Sequence, residues 1–314
     1  MNFDILAAQK RLSPWIIKTP LVENEFLSKK TGKKVFLKLE SMQRTGAFKF
    51  RGAMNYMIKL DKEEAKKGVI TASSGNHGLG MSLSGKLNGV NCTVVMPTNA
   101  PKSKQKRAKE YGAKVILKGL CYDDAQEHAK ELAKENNLSY VPSFNHQDII
   151  EGQGTILAEI IQDQPDVDMV IVPVGGGGML AGLLVAKEQL GVTCDVVGVE
   201  PFGACGMKQS LELGKVTTVE NMNTLADGVA VRTPGDLNFS IAKKYMPKLL
   251  NTTDEQILKT QELLLKQSKI IVETAGGVSV SGILNNILPD EVKVIVCVIS
   301  GANLDLIQLK EFLK

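Results

Sequence analysis

Lys49 stands between Phe48 and Phe50 in the stretch TGAFKFRGA (45–53), which contains no acidic residue. A buried ammonium group is costly unless it is paired, so a lysine in such a place usually extends its head to water. The alternative is an apolar pocket in which Lys49 loses its proton readily and acts as an amine nucleophile toward a carbonyl. These nine residues alone favour the first interpretation, and other parts of the chain must decide.

Three loops rich in glycine or serine each follow a strand-like run: SSGNHG (73–78), GGGGMLAG (175–182) and SGANLD (300–305). Because ligands bind at the carboxyl ends of parallel strands, we expect all three loops at one cleft. We do not expect packing to require four consecutive glycines, since each costs conformational entropy. Phosphate binding is favoured over a flexible turn, because a helix beginning near Met179 would add its positive end to the backbone N–H groups of Gly175, Gly176, Gly177 and Gly178.

The other two loops supply polar side chains. SSGNHG brings two hydroxyls and an amide, which suit a carboxylate or a ring oxygen, although Ser74 or Asn76 could simply cap a helix. Ser300 ends an apolar run and can donate or accept a hydrogen bond in the cleft. A phosphate cradle, an amine and polar loops together suggest a phosphorylated carbonyl cofactor, and pyridoxal 5'-phosphate fits that description.

Short Val/Ile-rich runs alternate with helical stretches. Such continuous runs indicate strands buried on both faces, hence an α/β fold of two lobes, each an open, mostly parallel twisted sheet covered by helices. The stretch PSFNHQ (142–147) predicts a division into a large cofactor-binding domain, 1–45 with 147–314, and a small mobile substrate domain, 46–146. The predicted strands are 34–40, 68–74, 92–97, 113–118, 168–174, 194–200 and 292–300. The predicted helices are 76–88, 102–111, 122–136, 152–163, 178–190 and 254–269.

Composition excludes several classes of protein. The 314 residues are 43% hydrophobic and 23% charged with a net charge of +4, as in soluble globular proteins. There is no basic stripe with interleaved aromatics, no apolar run of the roughly 18 residues that spans a bilayer, and no signal-peptide pattern at the start. We therefore expect neither nucleic acid nor membrane as a partner. Five cysteines without metal-ligand spacing indicate reduced thiols and a cytoplasmic location.

Seven motifs in a fixed order carry a family resemblance. They are TGAFKFRGA, SSGNHG, EGQGT (151–155), PVGGGGMLAG, LADG (225–228), ETAGG (273–277) and SGANLD. In that order they resemble the fold type II pyridoxal-phosphate enzymes, which share the architecture of the tryptophan synthase β-subunit. The likeness is greatest to the threonine/serine dehydratases and serine racemases, and it covers essentially the whole chain.

The resemblance implies a role for each matching residue. Lys49 would bond to the cofactor and act on the substrate Cα proton, with Phe48 against the cofactor ring. Asn76 would hydrogen-bond the phenolic oxygen of the ring, and Ser300 would face its nitrogen. The four glycines would hold the phosphate, and Met179 and Gly228 would be further cofactor contacts. The substrate carboxylate would be surrounded by Ser73, Ser74, Asn76 and His77.

Two activities fit this resemblance. The neutral hydroxyl of Ser300 cannot stabilise a protonated ring nitrogen as a carboxylate would, which weakens the ring as an electron sink and suits β-elimination. We therefore predict an L-threonine/L-serine dehydratase that forms 2-oxobutanoate or pyruvate and ammonia. Ser74 instead points to a serine racemase, in which a serine faces the lysine across the substrate.

Three further expectations accompany this prediction. A divalent or monovalent cation would have Glu200 and Ala204 as candidate ligands, but Gly206 stands where the racemases carry a second acid. The resemblance implies a homodimer. From another class, a non-catalytic protein that binds a phosphorylated ligand is the alternative, against which an intact Lys49 argues.

Overall fold

The structure is a computed structural model that describes residues 2–73 and 75–305. Its strands form two sheets. The larger has the order β1-β2-β10-β7-β8-β9, and the smaller has the order β5-β4-β3-β6. The strand bounds are β1 Leu21–Glu23, β2 Lys34–Lys38, β3 Val69–Ala72, β4 Cys92–Met96, β5 Lys114–Leu117, β6 Ser139–Tyr140, β7 Met169–Pro173, β8 Asp195–Pro201, β9 Leu249–Thr252 and β10 Val294–Val298.

Every strand pair in the described residues is parallel except β1 with β2, which is antiparallel. The α/β fold with parallel-dominated sheets is thus confirmed, and all seven predicted strands are present. Three strands escaped prediction, β1, β6 and β9, because each has only two to four residues and no continuous apolar run. The predicted division at 142–147 falls between the strands of the two sheets, while the domain bounds and the mobility stay predictions.

Helices cover both faces of the sheets. Their bounds are α1 Ile5–Leu12, α2 Glu25–Thr31, α3 Lys49–Lys59, α4 Lys62–Lys67, α5 Asn76–Asn88, α6 Lys102–Glu110, α7 Tyr122–Glu135, α8 Gln147–Asp163, α9 Gly178–Leu190, α10 Gly206–Leu213, α11 Asp236–Tyr245, α12 Asp254–Ser268 and α13 Val278–Asn285. No helix in the described ranges is both long and apolar enough to cross a bilayer.

The start of α8 differs from the prediction. The helix begins at Gln147 rather than at residue 152, because the His146 ring accepts a hydrogen bond from the Asp148 amide (3.1 Å) and caps the first turn. Histidine is not among the usual capping residues, so the sequence pattern did not indicate this boundary.

The large sheet lies between two apolar cores. In β7, Val170 and Val172 pack into one core, whereas Met169 and Ile171 pack into the other. The alternation shows that both faces of the strand are buried, as its unbroken apolar sequence indicated.

Helices α3 and α8 cross at two glycines. A Cβ atom on Gly152 would lie 2.6 Å from the Cα of Gly52, and one on Gly52 would lie 2.8 Å from the carbonyl oxygen of Ile149. No real Cβ atom tolerates such distances, so the two backbones pack in direct contact. The first turn of α3, which carries Lys49, is thereby placed against α8.

A cluster of four buried charges, here called the Arg51 cluster, lies beside this crossing: Lys38, Glu40, Arg51 and Glu159. The Arg51 guanidinium donates to both carboxylates, with Nε to Glu40 at 2.8 Å and Nη1 to Glu159 at 2.7 Å. Lys38 Nζ donates to Glu159 at 2.6 Å. The four side chains are no more than 4% exposed, so two cations and two anions balance inside the protein.

Candidate active site

One cavity lies at the carboxyl ends of the strands. Loops that follow β3, β7 and β10 all contribute to its lining, as the sequence predicted. The predicted site residues that line it are Phe48, Lys49, Ser73, Asn76, His77, Gly175, Gly176, Gly177, Gly178, Met179, Gly228 and Ser300. Ser74 lies outside the described residues.

Lys49 is the first residue of α3 and turns its amine into this cavity. Its Nζ donates to the carbonyl oxygen of Ser143 at 3.0 Å and lies 5.3 Å from the Phe48 ring centre and 5.8 Å from that of Phe144. Within residues 2–73 and 75–305 no carboxylate pairs with it. Burial lowers the pKa of Lys49 to about 8, although the cavity leaves the side chain partly accessible. The lowered pKa leaves a larger fraction of this amine unprotonated, and so nucleophilic, than of an ordinary exposed lysine.

The four-glycine loop joins β7 to the start of α9. Gly177 has a φ of +88°, in the left-handed region that favours glycine, and α9 begins at Gly178. The positive end of this helix and the free backbone N–H groups form a ready anion site.

The expectation that packing does not require these glycines is wrong. A Cβ atom on Gly175 would lie 2.9 Å from the Cα of Val229, and one on Gly176 would lie 2.5 Å from the Phe144 ring. Neighbours therefore pack against the loop backbone, and this closeness holds it in shape.

His77 lies in the cavity wall with almost no solvent exposure. Among the described residues, neither ring nitrogen has a hydrogen-bond partner of normal geometry. Burial, followed by the charge of Lys49, lowers the pKa of His77 to about 3. The ring is therefore neutral at physiological pH, and its nitrogens are closed off from solvent.

Ser73 holds its own loop together. Its Oγ accepts hydrogen bonds from the amides of Gly75 (3.2 Å) and Gly78 (3.0 Å). The hydroxyl proton remains to be donated to a ligand. These bonds hold the backbone at the first turn of α5.

Ser300 is buried, and its Oγ donates to the carbonyl oxygen of Ala275 at 3.3 Å. The side chain thus presents a neutral oxygen to the cavity. The predicted position opposite a ring nitrogen stays a prediction.

Several cavity residues were not identified from the sequence. They are Lys104, Tyr122, Ser143, Phe144, Asp227 and Glu273. Asp227 and Glu273 lie in LADG and ETAGG, so the resemblance motifs pointed to their neighbourhood without a role. The others come from helix starts and a strand end that carry no local signal.

The candidate cation ligands lie elsewhere. Glu200 is buried, and its two carboxylate oxygens accept from the amides of Met207 and Lys208, both at 2.9 Å, at the start of α10. Burial raises the pKa of Glu200 to about 7. In the part of the chain that the structure describes, no group of three or more His, Cys, Asp or Glu residues could hold a metal ion. The site at Glu200 and Ala204 therefore stays a prediction.

Comparison with known proteins identifies the class. The family model described as "Pyridoxal-phosphate dependent enzyme" matches residues 12–301, and the chain belongs to this family. The L-threonine ammonia-lyase of Thermotoga maritima is 42% identical over 302 residues, which make up 96% of this chain and 75% of that protein.

Two solved structures superpose closely. Maize serine racemase has a TM-score of 0.94 at 32% identity, with 98% of this chain and 95% of that one covered. The processed form of threonine deaminase isoform 2 from Solanum lycopersicum has a TM-score of 0.93 at 35% identity, with 98% and 91% covered. The predicted resemblance to fold type II dehydratases and racemases is confirmed, and the chain is an enzyme that uses pyridoxal phosphate.

The cavity fits that cofactor. An amine without a counter-ion suits an aldehyde, and the glycine loop at a helix start suits a phosphate. The two lie in the same cavity, so Lys49 and Gly175–Gly178 would hold the two ends of one molecule.

Proposed function

We propose that the chain is a dehydratase of L-threonine and L-serine. The observation that supports this most is Lys49, an amine without a carboxylate partner whose pKa burial lowers to about 8, in a chain that shares 42% identity with an L-threonine ammonia-lyase. Net loss of ammonia converts threonine to 2-oxobutanoate and serine to pyruvate, since the water that is eliminated is taken up again on hydrolysis. Pyridoxal phosphate, when bound, supplies an aldehyde for the substrate amine and a ring that accepts electron density from Cα.

The residues of the chain bind and orient the substrate and move its proton. Lys49 would take the Cα proton, because an amine whose pKa burial lowers to about 8 is a competent base. The hydroxyl of Ser73 and the backbone N–H groups of Asn76 and His77, in the first turn of α5, bind the substrate carboxylate. Ser300 offers a neutral hydroxyl rather than a carboxylate, so this residue would supply no negative charge to stabilise a protonated cofactor nitrogen, which suits loss of the β-hydroxyl as water.

Serine racemisation is the second candidate, and the superposition with maize serine racemase at a TM-score of 0.94 favours it. Racemisation needs an acid or base on each face of Cα, and the candidate opposite Lys49 is Ser74. Lys49 and the glycine loop would serve both activities, so an assay separates them.

The test incubates purified protein with L-threonine, L-serine and D-serine and follows both the 2-oxo acid and the serine enantiomers. We expect 2-oxobutanoate and pyruvate to form faster than D-serine. D-serine appearing at least as fast as pyruvate would reverse the ranking. A non-catalytic ligand-binding protein would form neither product, and it would give no yellow, borohydride-reducible adduct at Lys49.

The proposal includes a homodimer in the cytoplasm, in which residues 46–146 close over the bound amino acid. The reduced cysteines support the compartment, since in the described residues all five are free. Analytical ultracentrifugation tests the assembly, with sedimentation as a single 34.0 kDa chain as the contrary result.

A further inference from the structure

We propose that Arg107, acting through Asn303, sets the orientation of the Asn76 amide in the cavity. Arg107 lies on α6 and is not among the cavity-lining residues, so it would be a positioning residue for the cofactor. The inference rests on membership of the pyridoxal-phosphate family and on the role that the resemblance gives Asn76, not on which amino acid is the substrate.

A line of side-chain hydrogen bonds joins Arg107 to the cavity. Arg107 Nη1 donates to Asn303 Oδ1 at 2.5 Å, and Asn303 Nδ2 donates to Asn76 Oδ1 at 2.7 Å. Asn76 Nδ2 then donates to the Glu273 carboxylate. The carbonyl oxygen of Thr45 accepts from both Asn303 Nδ2 (2.8 Å) and Arg107 Nη2 (3.4 Å).

The Arg107 guanidinium and the Thr45 carbonyl fix which atom donates and which accepts in each hydrogen bond of this line. A guanidinium only donates and a backbone carbonyl only accepts, whereas an asparagine amide can be turned over to exchange its two roles. Arg107 therefore requires the oxygen of Asn303, and Thr45 requires its nitrogen. Asn303 therefore faces Asn76 with its amino group, and Asn76 Oδ1 accepts that hydrogen bond. The amino group of Asn76 is then directed toward Glu273.

Two glycines leave space for the side chains of this hydrogen-bonded line. Gly46 has a φ of +77°, and a Cβ atom there would lie 2.6 Å from Asn303 Oδ1. A Cβ atom on Gly301 would lie 3.0 Å from the Glu273 carboxyl carbon. The backbone thus leaves room for the Asn303 and Glu273 side chains only because these positions lack a side chain of their own.

The consequence falls on the cofactor. The Asn76 amino group has two N–H bonds, of which one reaches Glu273. The second is available to the phenolic oxygen of the cofactor, which the resemblance places at Asn76. A reversed amide would present a carbonyl oxygen to that oxygen and repel it.

The decisive variant is Asn303→Asp. The introduced carboxylate has the same shape as the amide and can still accept from Arg107, but it cannot donate to Asn76. Asn76 would then turn its amino group to this carboxylate and its carbonyl toward the cofactor. We expect cofactor binding to weaken by at least about tenfold, as for loss of a hydrogen bond to a charged group, with a shift in the absorption maximum of the bound cofactor.

Arg107→Met and Asn303→Ala remove the orienting contact without reversing it, so their effects should be smaller than that of Asn303→Asp. Lys106→Met is the matched control, since Lys106 is an exposed neighbour on the same helix that pairs only loosely with Glu110 (3.8 Å). In an Asn76→Ala background, Arg107→Met should have no further effect on cofactor affinity. Thermal unfolding of each variant establishes that it is folded.

The measurements are a spectrophotometric titration with pyridoxal phosphate and the spectrum of each loaded variant, both without substrate. Unchanged affinity and spectrum in Asn303→Asp would overturn the proposal, as would additive effects of Arg107→Met and Asn76→Ala. Because no turnover is involved, an enzyme that failed to dehydrate threonine or serine would refute the proposed function alone.

Discussion

Lys49 and Arg51 are two cations two residues apart on α3, and their surroundings differ completely. The Lys49 amine meets a backbone carbonyl and two aromatic rings. Arg51 meets the carboxylates of Glu40 and Glu159. Burial lowers the pKa of Lys49 to about 8, because no carboxylate in residues 2–73 and 75–305 pairs with the amine to offset the loss of water.

The same loss of water has the opposite outcome at Arg51. Burial alone would lower the pKa of Arg51, but Glu40 and Glu159 outweigh it and raise the pKa. Burial alone would likewise raise the pKa of Glu40, but Arg51 and Lys38 outweigh it and lower the pKa. Burial therefore lowers the pKa of a cation only where no counter-ion outweighs it, as at Lys49 but not at Arg51. The first turn of α3 thus carries the Lys49 amine, whose pKa is lowered, and the Arg51 guanidinium, which stays charged.

Replacing the unpaired cation should have the largest effect, which falls on activity. Lys49→Ala should lower turnover of L-threonine by at least about a thousandfold, since the group that attaches the cofactor and moves the Cα proton is lost. The free energy of unfolding of the cofactor-free protein at pH 7 should not fall, because no ion pair is broken and a buried ammonium group that costs free energy is removed. Initial rates and urea denaturation check the two statements. Residual turnover above a tenth of the wild-type rate would contradict the role of Lys49.

Replacing the paired cation should act on stability. Arg51→Met leaves two buried carboxylates with only Lys38, which should lower the free energy of unfolding by about 3–5 kcal/mol. Urea denaturation of the cofactor-free protein measures this without the stabilisation that a bound ligand adds. Lys106→Met, which removes an exposed cation, is the control and should change stability by less than about 0.5 kcal/mol. Equal stabilities of the Arg51 and Lys106 variants would remove the contrast.

A charge-balanced deletion sharpens the comparison further. Glu159→Met alone leaves Lys38 without its carboxylate partner and should lower the free energy of unfolding by about 3 kcal/mol. Adding Lys38→Met leaves Arg51 with Glu40 as a balanced pair, so the double variant should recover about 1–2 kcal/mol of that loss. If the double variant were less stable than Glu159→Met, packing rather than charge balance would dominate the Arg51 cluster.

The smallest effect is a pH dependence that belongs to Lys49. Its folded pKa of about 8 lies below the ordinary value of 10.5. Between these values the unfolded chain holds a proton that the folded chain has lost, so stability rises with pH. Cofactor-free wild type should thus gain stability relative to Lys49→Met from pH 8 to 10.5, with no such trend below the folded pKa. A constant difference across the whole range would show that the amine titrates normally.

The contrast between these two cations was only half visible in the sequence. The chemistry of Lys49 followed from its aromatic neighbours and from loops at strand ends, and helices α5 and α9 have the bounds that their patterns predicted. The Arg51 cluster was invisible, because Lys38 and Glu159 are 121 residues apart and each stands in an unremarkable local context. Asn303 and Asn76, 227 residues apart, were recognised only as members of separate motifs. Local pattern predicts elements and strand-end chemistry, whereas pairing between distant side chains requires the folded chain.

The crossing of α3 and α8 at Gly52 and Gly152 limits how closely the two helices approach, and so fixes the position of the first turn of α3. Gly52 lies three residues after Lys49 on α3. The contact between the two main chains therefore fixes how far the Lys49 amine reaches into the cavity. A methyl group at either glycine would push α3 away from α8 and move the Lys49 amine within the cavity. We expect this displacement to impair catalysis at substitutions that still allow the chain to fold.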